Sequence, residues 1–359
     1  MAEWSRVVNT TLINYMKKEE SNIMRNRRLP AMLQDKGRVT YNWSGRETEQ
    51  RIRYRRVPMT PYADMDVVPF ARHDRWKLAN LDIRGYSLAD AVSKKERLMN
   101  KGEEAIIKLF STMGESLKDD IGDQFAEEYY VDGNASGNTK KMHGIASFMG
   151  SGGSVAVVDG YLSPSDTFAG LSTILANYGG TWTGTWPDGT GDAHYDFWSP
   201  IIIDYTDASA WSDGATWALN CKQTIRHGVI QTQRSGTKKG LLDMIIMDAT
   251  MYSKLLDKAA AAERIIVNRG EKSSKLTELG FRDVLNLDGV DCTWEYGITA
   301  NTAFGFNCEQ METRSWQPQL FVPEGPDWDP VTKTWRLSID FFGNTFWNPK
   351  YFLKMINNT

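Results

Sequence analysis

Three cysteines, four histidines and no long apolar run are the scarcities that first narrow this sequence. Cys221, Cys292 and Cys308 are too few and too scattered to frame a small disulfide-held domain, and an odd count suits a reducing compartment, so cytosolic synthesis is expected. His73, His143, His194 and His227 stand at least thirty positions apart, with no H-E-x-x-H, H-x-H or C-x-x-C pattern, so neither a metal nor a cofactor is expected. The chain also lacks a G-x-S-x-G elbow, a Walker phosphate loop and a spaced G-x-G-x-x-G. With those signatures missing, the sequence reads as non-enzymatic. No stretch approaches the roughly 18 apolar residues of a spanning helix, and no basic-then-apolar leader opens the chain, so no membrane partner is expected.

What is present is aromatic. Thirteen Trp, fourteen Tyr and fourteen Phe stand in a chain of 359 residues whose 41% hydrophobic and 24% charged content is otherwise ordinary. Flat amphipathic rings suit a large core and an interface equally. The charge is uneven. Between Lys17 and Arg56 twelve Lys/Arg face five Asp/Glu, a local excess of seven, which leaves −10 on the rest of a chain whose net charge is −3. A basic segment of one copy could therefore meet the acidic body of another.

Residues 1–35, polar with dispersed apolar positions and ending at Leu29-Pro30, read as a partly helical arm. Period-two alternation then begins: Val39, Tyr41 and Trp43, then Ile52 and Tyr54 set between Arg51, Arg53 and Arg55. This predicts a two-stranded hairpin over Arg38–Val57. Ser87-Leu88-Ala89-Asp90 resembles a capping box and opens an apolar stripe running through Met113, Leu117, Ile121, Phe125 and Tyr129 to Asp132-Gly133-Asn134, predicting one long helix. Trp217, Cys221, Ile225 and Val229 recur every fourth position, predicting a second helix within Asp213–Gln233. Leu241–Met247 reads as a buried strand, and Asp248 opens a third helix. Asp288-Gly289 between Val284–Leu287 and Val290–Trp294 predicts a tight hairpin. After Asp329-Pro330, the alternation of Trp335, Leu337, Ile339 and Phe341 predicts a strand.

Three features could carry chemistry. The Asp188–Asp192 loop looks superficially like a calcium loop but lacks the alternating acids and the closing Glu. Trp182, Trp186 and Trp198 could stack on a glycan or on single-stranded nucleic acid, which gives the alternative reading of an aromatic binding module. A hydrolase without a familiar motif would need His143 or His194 to meet two carboxylates in one pocket. The sharpest candidate is the basic hairpin. Its Tyr41, Trp43, Arg46, Arg51, Arg53, Tyr54, Arg55 and Arg56, with no Lys between Lys36 and Lys77, suit bidentate pairing with carboxylates on a neighbouring copy as well as phosphate contact.

Taken in order, arm, hairpin, long helix, the entry Met142-His143-Gly144-Ile145, the stretch Leu241–Leu256, the hairpin Val284–Trp294, Ala303–Asn307 and the closing Gly343–Tyr351 resemble the major capsid proteins of tailed bacteriophages, with the Hong-Kong-ninety-seven-type fold. The resemblance implies an α+β fold with an N-terminal arm at 1–35, an extended β-hairpin loop at 36–80, a peripheral domain with spine helix at 81–150, a mixed axial domain at 151–305 and a return to the peripheral domain over 306–359. It also implies self-assembly into hexamers and pentamers of an icosahedral shell around double-stranded DNA bound without sequence specificity, and a portal protein. The missing acidic scaffolding segment implies a separate scaffold protein. The eight hairpin residues become inter-subunit contacts, and the protein becomes a virion component assembled in the host cytoplasm. A Lys–Asn crosslink, known among such proteins, lacks its loop Lys, although Lys36, Lys77 and Asn348 keep it formally open.

Overall fold

The computed structural model describes residues 24–25, 27–53, 57, 59–68, 70–73, 75–99, 103–151, 160–173, 198–211, 213–233, 239–262, 275–281 and 283–358. Gly152–Ser154 of the Gly/Ser linker, and the whole Gly179–Asp192 loop with Trp182, Trp186 and the Asp188–Asp192 stretch, lie outside these residues, as do His194, Tyr54, Arg55 and Arg56.

Two sheets face a common core. In the first, β1 (Val39–Thr40), β12 (Met311–Ser315), β14 (Thr334–Trp347) and β13 (Val322–Asp329) run in that order, with β4 (Arg84–Ser93) also paired to β14. The second has six strands in the order β7 (Ile201–Asp204), β15 (Leu353–Ile356), β11 (Thr302–Phe306), β8 (Met244–Met247), β10 (Val290–Trp294) and β9 (Leu285–Leu287). β14 is the spine of the first sheet: Trp335, Leu337, Ile339 and Phe341 are all buried, with Arg336 exposed and Ser338 half-buried between them, although Asp340 is buried as well. The closing segment continues past β14 through a 3₁₀ turn at Pro349–Tyr351 and enters the second sheet as β15.

The long helix α3 (Glu103–Glu128) lies against the first sheet with Met113, Leu117, Ile121 and Phe125 buried at every fourth position. Phe125 meets Phe341 edge-on at 4.9 Å and Phe321 at 5.1 Å between ring centres, the geometry that aromatic quadrupoles favour. Phe304 and Phe306 of β11 join the same core from the second sheet. The opposite face of that sheet packs on α4 (Trp217–Thr232) and α5 (Ala249–Ala262) through Trp217, Cys221, Ile225, Val229 and Leu255. Both helices fall where the sequence predicts them. So does the β9–β10 hairpin, where Asp288 and Gly289 take the positive φ angles (51° and 84°) that a two-residue turn requires.

Two expectations are corrected. The long helix does not begin at Ser87. Ser87 to Ser93 belong to β4, which pairs Leu88 with Ile339 and Val92 with Trp335. Leu88 and Val92 satisfy helical and period-two spacing alike, and ten residues of antiparallel pairing along β14 decide the matter. The reciprocal cap lies six residues on. The Ser93 Oγ accepts from Glu96 N at 3.2 Å while Glu96 Oε2 accepts from Ser93 N at 3.0 Å, opening the short helix α2 (Lys94–Met99). The 26 residues of α3 then span about 39 Å, not the 65 Å or so of an unbroken helix from Ser87.

The second correction concerns the hairpin. Val39–Thr40 does not pair with the strand after it but lies parallel to Thr313–Arg314 at the edge of the first sheet. The partner of β2 (Glu47–Arg53) is β3 (Trp76–Asp82), in register from Glu47 opposite Asp82 to Arg53 opposite Trp76. A two-residue period marks a strand without naming its partner, and here an excursion of over twenty residues separates the two.

Candidate functional site

The β2–β3 ladder has one seated face and one exposed face. Thr48, Ile52, Ala79 and Leu81 are buried against the body, and Asn80 N donates to Ala169 O at 3.1 Å. Glu47, Glu49, Arg51 and Arg53 alternate with them, so Arg51 and Arg53 are exposed, standing opposite the exposed Leu78 and Trp76. The outer face thus runs from acidic at the root, where Glu47 and Asp82 are paired, to basic and apolar further out.

Beyond that end the chain carries a run of side chains that a water-exposed segment ordinarily avoids. Met59, Met65 and Phe70 are each 96% exposed, Val67 is 93% exposed, and Tyr62 is exposed too. Scattered exposed apolar residues are normal, whereas these five large ones fall within a dozen positions. This segment falls within the extended loop expected at 36–80 but beyond the hairpin predicted over Arg38–Val57, and none of its residues was among the expected contacts. Its signal was available: Pro58, Pro61 and Pro69 exclude regular structure there, yet large apolar residues persist between them.

The remaining predicted contact residues divide. Tyr41 and Arg46 are exposed. Trp43 is half-buried and already engaged within its own chain: Arg314 lies over its ring at 4.2 Å, and Trp43 N donates to Ser315 O at 2.9 Å. Arg314 is itself tied to Glu312 Oε2 at 2.7 Å and to Gln50 Oε1 at 3.3 Å. Tyr54, Arg55 and Arg56 lie outside the described residues.

Part of the basic stretch is likewise engaged internally. In α1 (Arg28–Asp35) and its flanks, Arg27 pairs with Asp123 of α3 at 2.9 Å, Arg28 donates to Trp294 O, and Lys36 pairs with Asp243 at 2.5 Å. Trp198, offered above as a stacking platform, is corrected to a core residue: it is buried, stacks on Phe168 at 6.0 Å and donates from Nε1 to Phe168 O. His143 is buried as well, between backbone and aromatic rings rather than beside a pair of carboxylates in an open pocket. Among the described residues no cluster of His, Cys, Asp and Glu could hold a metal ion, and no helix is long and apolar enough to cross a membrane.

No protein-family profile matches the chain, and no curated protein matches it in sequence. Solved structures do resemble it. The capsid of cyanophage A-1(L) is 11% identical, with 89% of this chain and 90% of that one covered at a TM-score of 0.56. The capsid of a native GTA particle is 8% identical, with 90% of each chain covered at 0.52. The mature capsid of bacteriophage PhiM1 is 10% identical, with 89% and 86% covered at 0.52. At such identities the likeness speaks for the fold. The chain has the α+β fold of tailed-phage major capsid proteins that the order of its elements implied.

Proposed function

We propose that this chain is a major capsid protein, a structural subunit that assembles with copies of itself into the hexamers and pentamers of an icosahedral shell enclosing double-stranded DNA. The observation that carries the reading is the exposed apolar excursion between β2 and β3. Fully burying an aromatic or aliphatic side chain contributes about 2 kcal/mol, so covering five of these would contribute on the order of 10 kcal/mol before the costs of association and ordering. A neighbouring copy can supply that cover, and Arg51 on the outer face offers a forked donor to its carboxylates. The capsid fold supports the same reading. In this reading residues 1–35 form the arm, 36–80 the extended loop, 81–150 and 306–359 the peripheral domain and 151–305 the axial domain. A separate scaffold protein guides assembly in the host cytoplasm, a portal protein occupies one vertex, and the product is the virion.

Electron microscopy of the expressed protein, alone or with its scaffold, tests this. Capsomer-sized or shell-sized particles are expected, and a strict monomer under every such condition would sink the reading. Replacing Met59, Val67 and Phe70 by Lys together should abolish particles and leave the circular dichroism and melting of the free subunit unchanged.

A further inference from the structure

One side-chain amide ties the root of the hairpin to His143. Asn344 on β14 donates from Nδ2 to Asp82 O at 2.8 Å, and its Oδ1 accepts from His143 N at 3.1 Å and from Thr345 N at 2.9 Å. β14 also holds the other side of the histidine, where Trp347 Nε1 donates to His143 O at 2.7 Å. β3 ends at Asp82 and β4 begins at Arg84, so the seat of the extended hairpin and the histidine share the Asn344 amide as one of their anchors.

His143 is buried in the subunit. Phe168 of β5 (Thr167–Phe168) meets it edge-on at 5.8 Å, and the backbone of Gly133 passes so close that a Cβ there would come within 2.8 Å of Nδ1. The charges acting on it are Arg84 on β4 and Asp82 on β3, while β14 presents the Asn344 amide and the Trp347 indole. Among the described residues neither His143 Nδ1 nor Arg84 Nε, both buried, finds a hydrogen-bond partner. A ring so placed can stay neutral, but a proton on it would put a buried cation within reach of the half-buried Arg84 guanidinium, with nothing to receive a new N–H at Nδ1.

We propose that His143 is a proton-operated latch on the hairpin root: while the ring is neutral the Asp82–Arg84 turn stays seated on β14, and proton uptake unseats it. Burial, then Arg84, hold the seated imidazole down at about 4 against an ordinary value of 6.5, with Asp82 opposing. The unseated state therefore binds more protons between these limits, so unseating grows more favourable as pH falls from 6.5 to 4 and gains nothing further below 4. At pH 5 the opening equilibrium should stand roughly 30-fold above its neutral value. The latch is a property of the free subunit, so its failure would leave the assembly reading untouched.

Hydrogen–deuterium exchange of the free subunit, corrected for intrinsic chemical exchange, reads it directly. Amides of β2 and β3 should exchange about 30-fold faster at pH 5 than at pH 7.5, with those of β8 and β11 unaltered. In His143→Asn the pH dependence of β2 and β3 should vanish, and in Arg84→Gln it should shrink. Should His143→Asn fail to fold, Arg84→Gln and a wild-type NMR titration of the ring decide. A hairpin whose exchange follows the same pH profile as β8, or a ring titrating near 6.5 while the hairpin remains protected, would overturn the proposal.

Discussion

Arg314 stacks on the Trp43 indole at 4.2 Å while its guanidinium stays paired with Glu312, binding the strand after the arm to the middle of the first sheet. The Arg314 side chain is only 7% exposed, so the contact is desolvated and shared among Trp43, Phe346, Gln50 and Glu312. Replacing it by Ala removes the stacking and leaves the half-buried Glu312 without its cation, a loss of about 3 kcal/mol. Arg314→Lys should recover less than half, since an ammonium can neither stack as a plane nor fork between two acceptors. Chemical denaturation of the free subunit measures both.

The corrected helix start makes a sharper test. Ser93→Ala breaks the reciprocal cap with Glu96 and should cost about 1 kcal/mol, whereas Ser87→Ala, on an exposed position of β4, should stay within roughly 0.5 kcal/mol of wild type. Equal losses at the two positions would show that the cap contributes nothing.

How much of this was legible in the sequence depends on the distance a signal must reach. The stripe Met113 to Phe125, the four-residue repeat on α4 and the Asp288-Gly289 turn are local, and each lies where its pattern places it. The partner of β2 lay beyond an excursion whose length no periodicity encodes, and β4 was claimed by β14 from more than 240 residues away. The engagement of Trp43 by Arg314 was invisible for the same reason. Arg51 and Arg53 were legible because exposure on a half-buried strand follows from alternation alone.

Those arginines allow folding and the proposed association to be tested apart. Changing Arg51, Arg53 and Arg55 together to neutral residues should leave the melting of the free subunit nearly unchanged, because Arg51 and Arg53 stand on the exposed face of β2. Particle yield in electron micrographs should nonetheless fall severalfold, and wild-type yield should fall as salt rises. If the triple variant instead unfolds, the ladder belongs to the subunit's own core.

Methionine chemistry offers a footprint of the same surface. Met59 and Met65 are each 96% exposed, whereas Met142, Met149, Met244 and Met355 are fully buried. A thioether reacts with hydrogen peroxide to give the sulfoxide and water, at a rate set by access to the sulfur. Mild peroxide treatment of the free subunit should therefore oxidise Met59 and Met65 well before the buried four, as read by peptide mass spectrometry. In assembled particles the same two residues should be protected at least tenfold if a neighbouring copy covers the excursion. Oxidation before assembly should lower particle yield, because each sulfoxide puts a strong dipole into the surface that the proposed assembly buries. A Met59→Leu/Met65→Leu variant should assemble normally and resist the peroxide, and equal oxidation of free and assembled wild-type protein would place the excursion on the open surface of the shell.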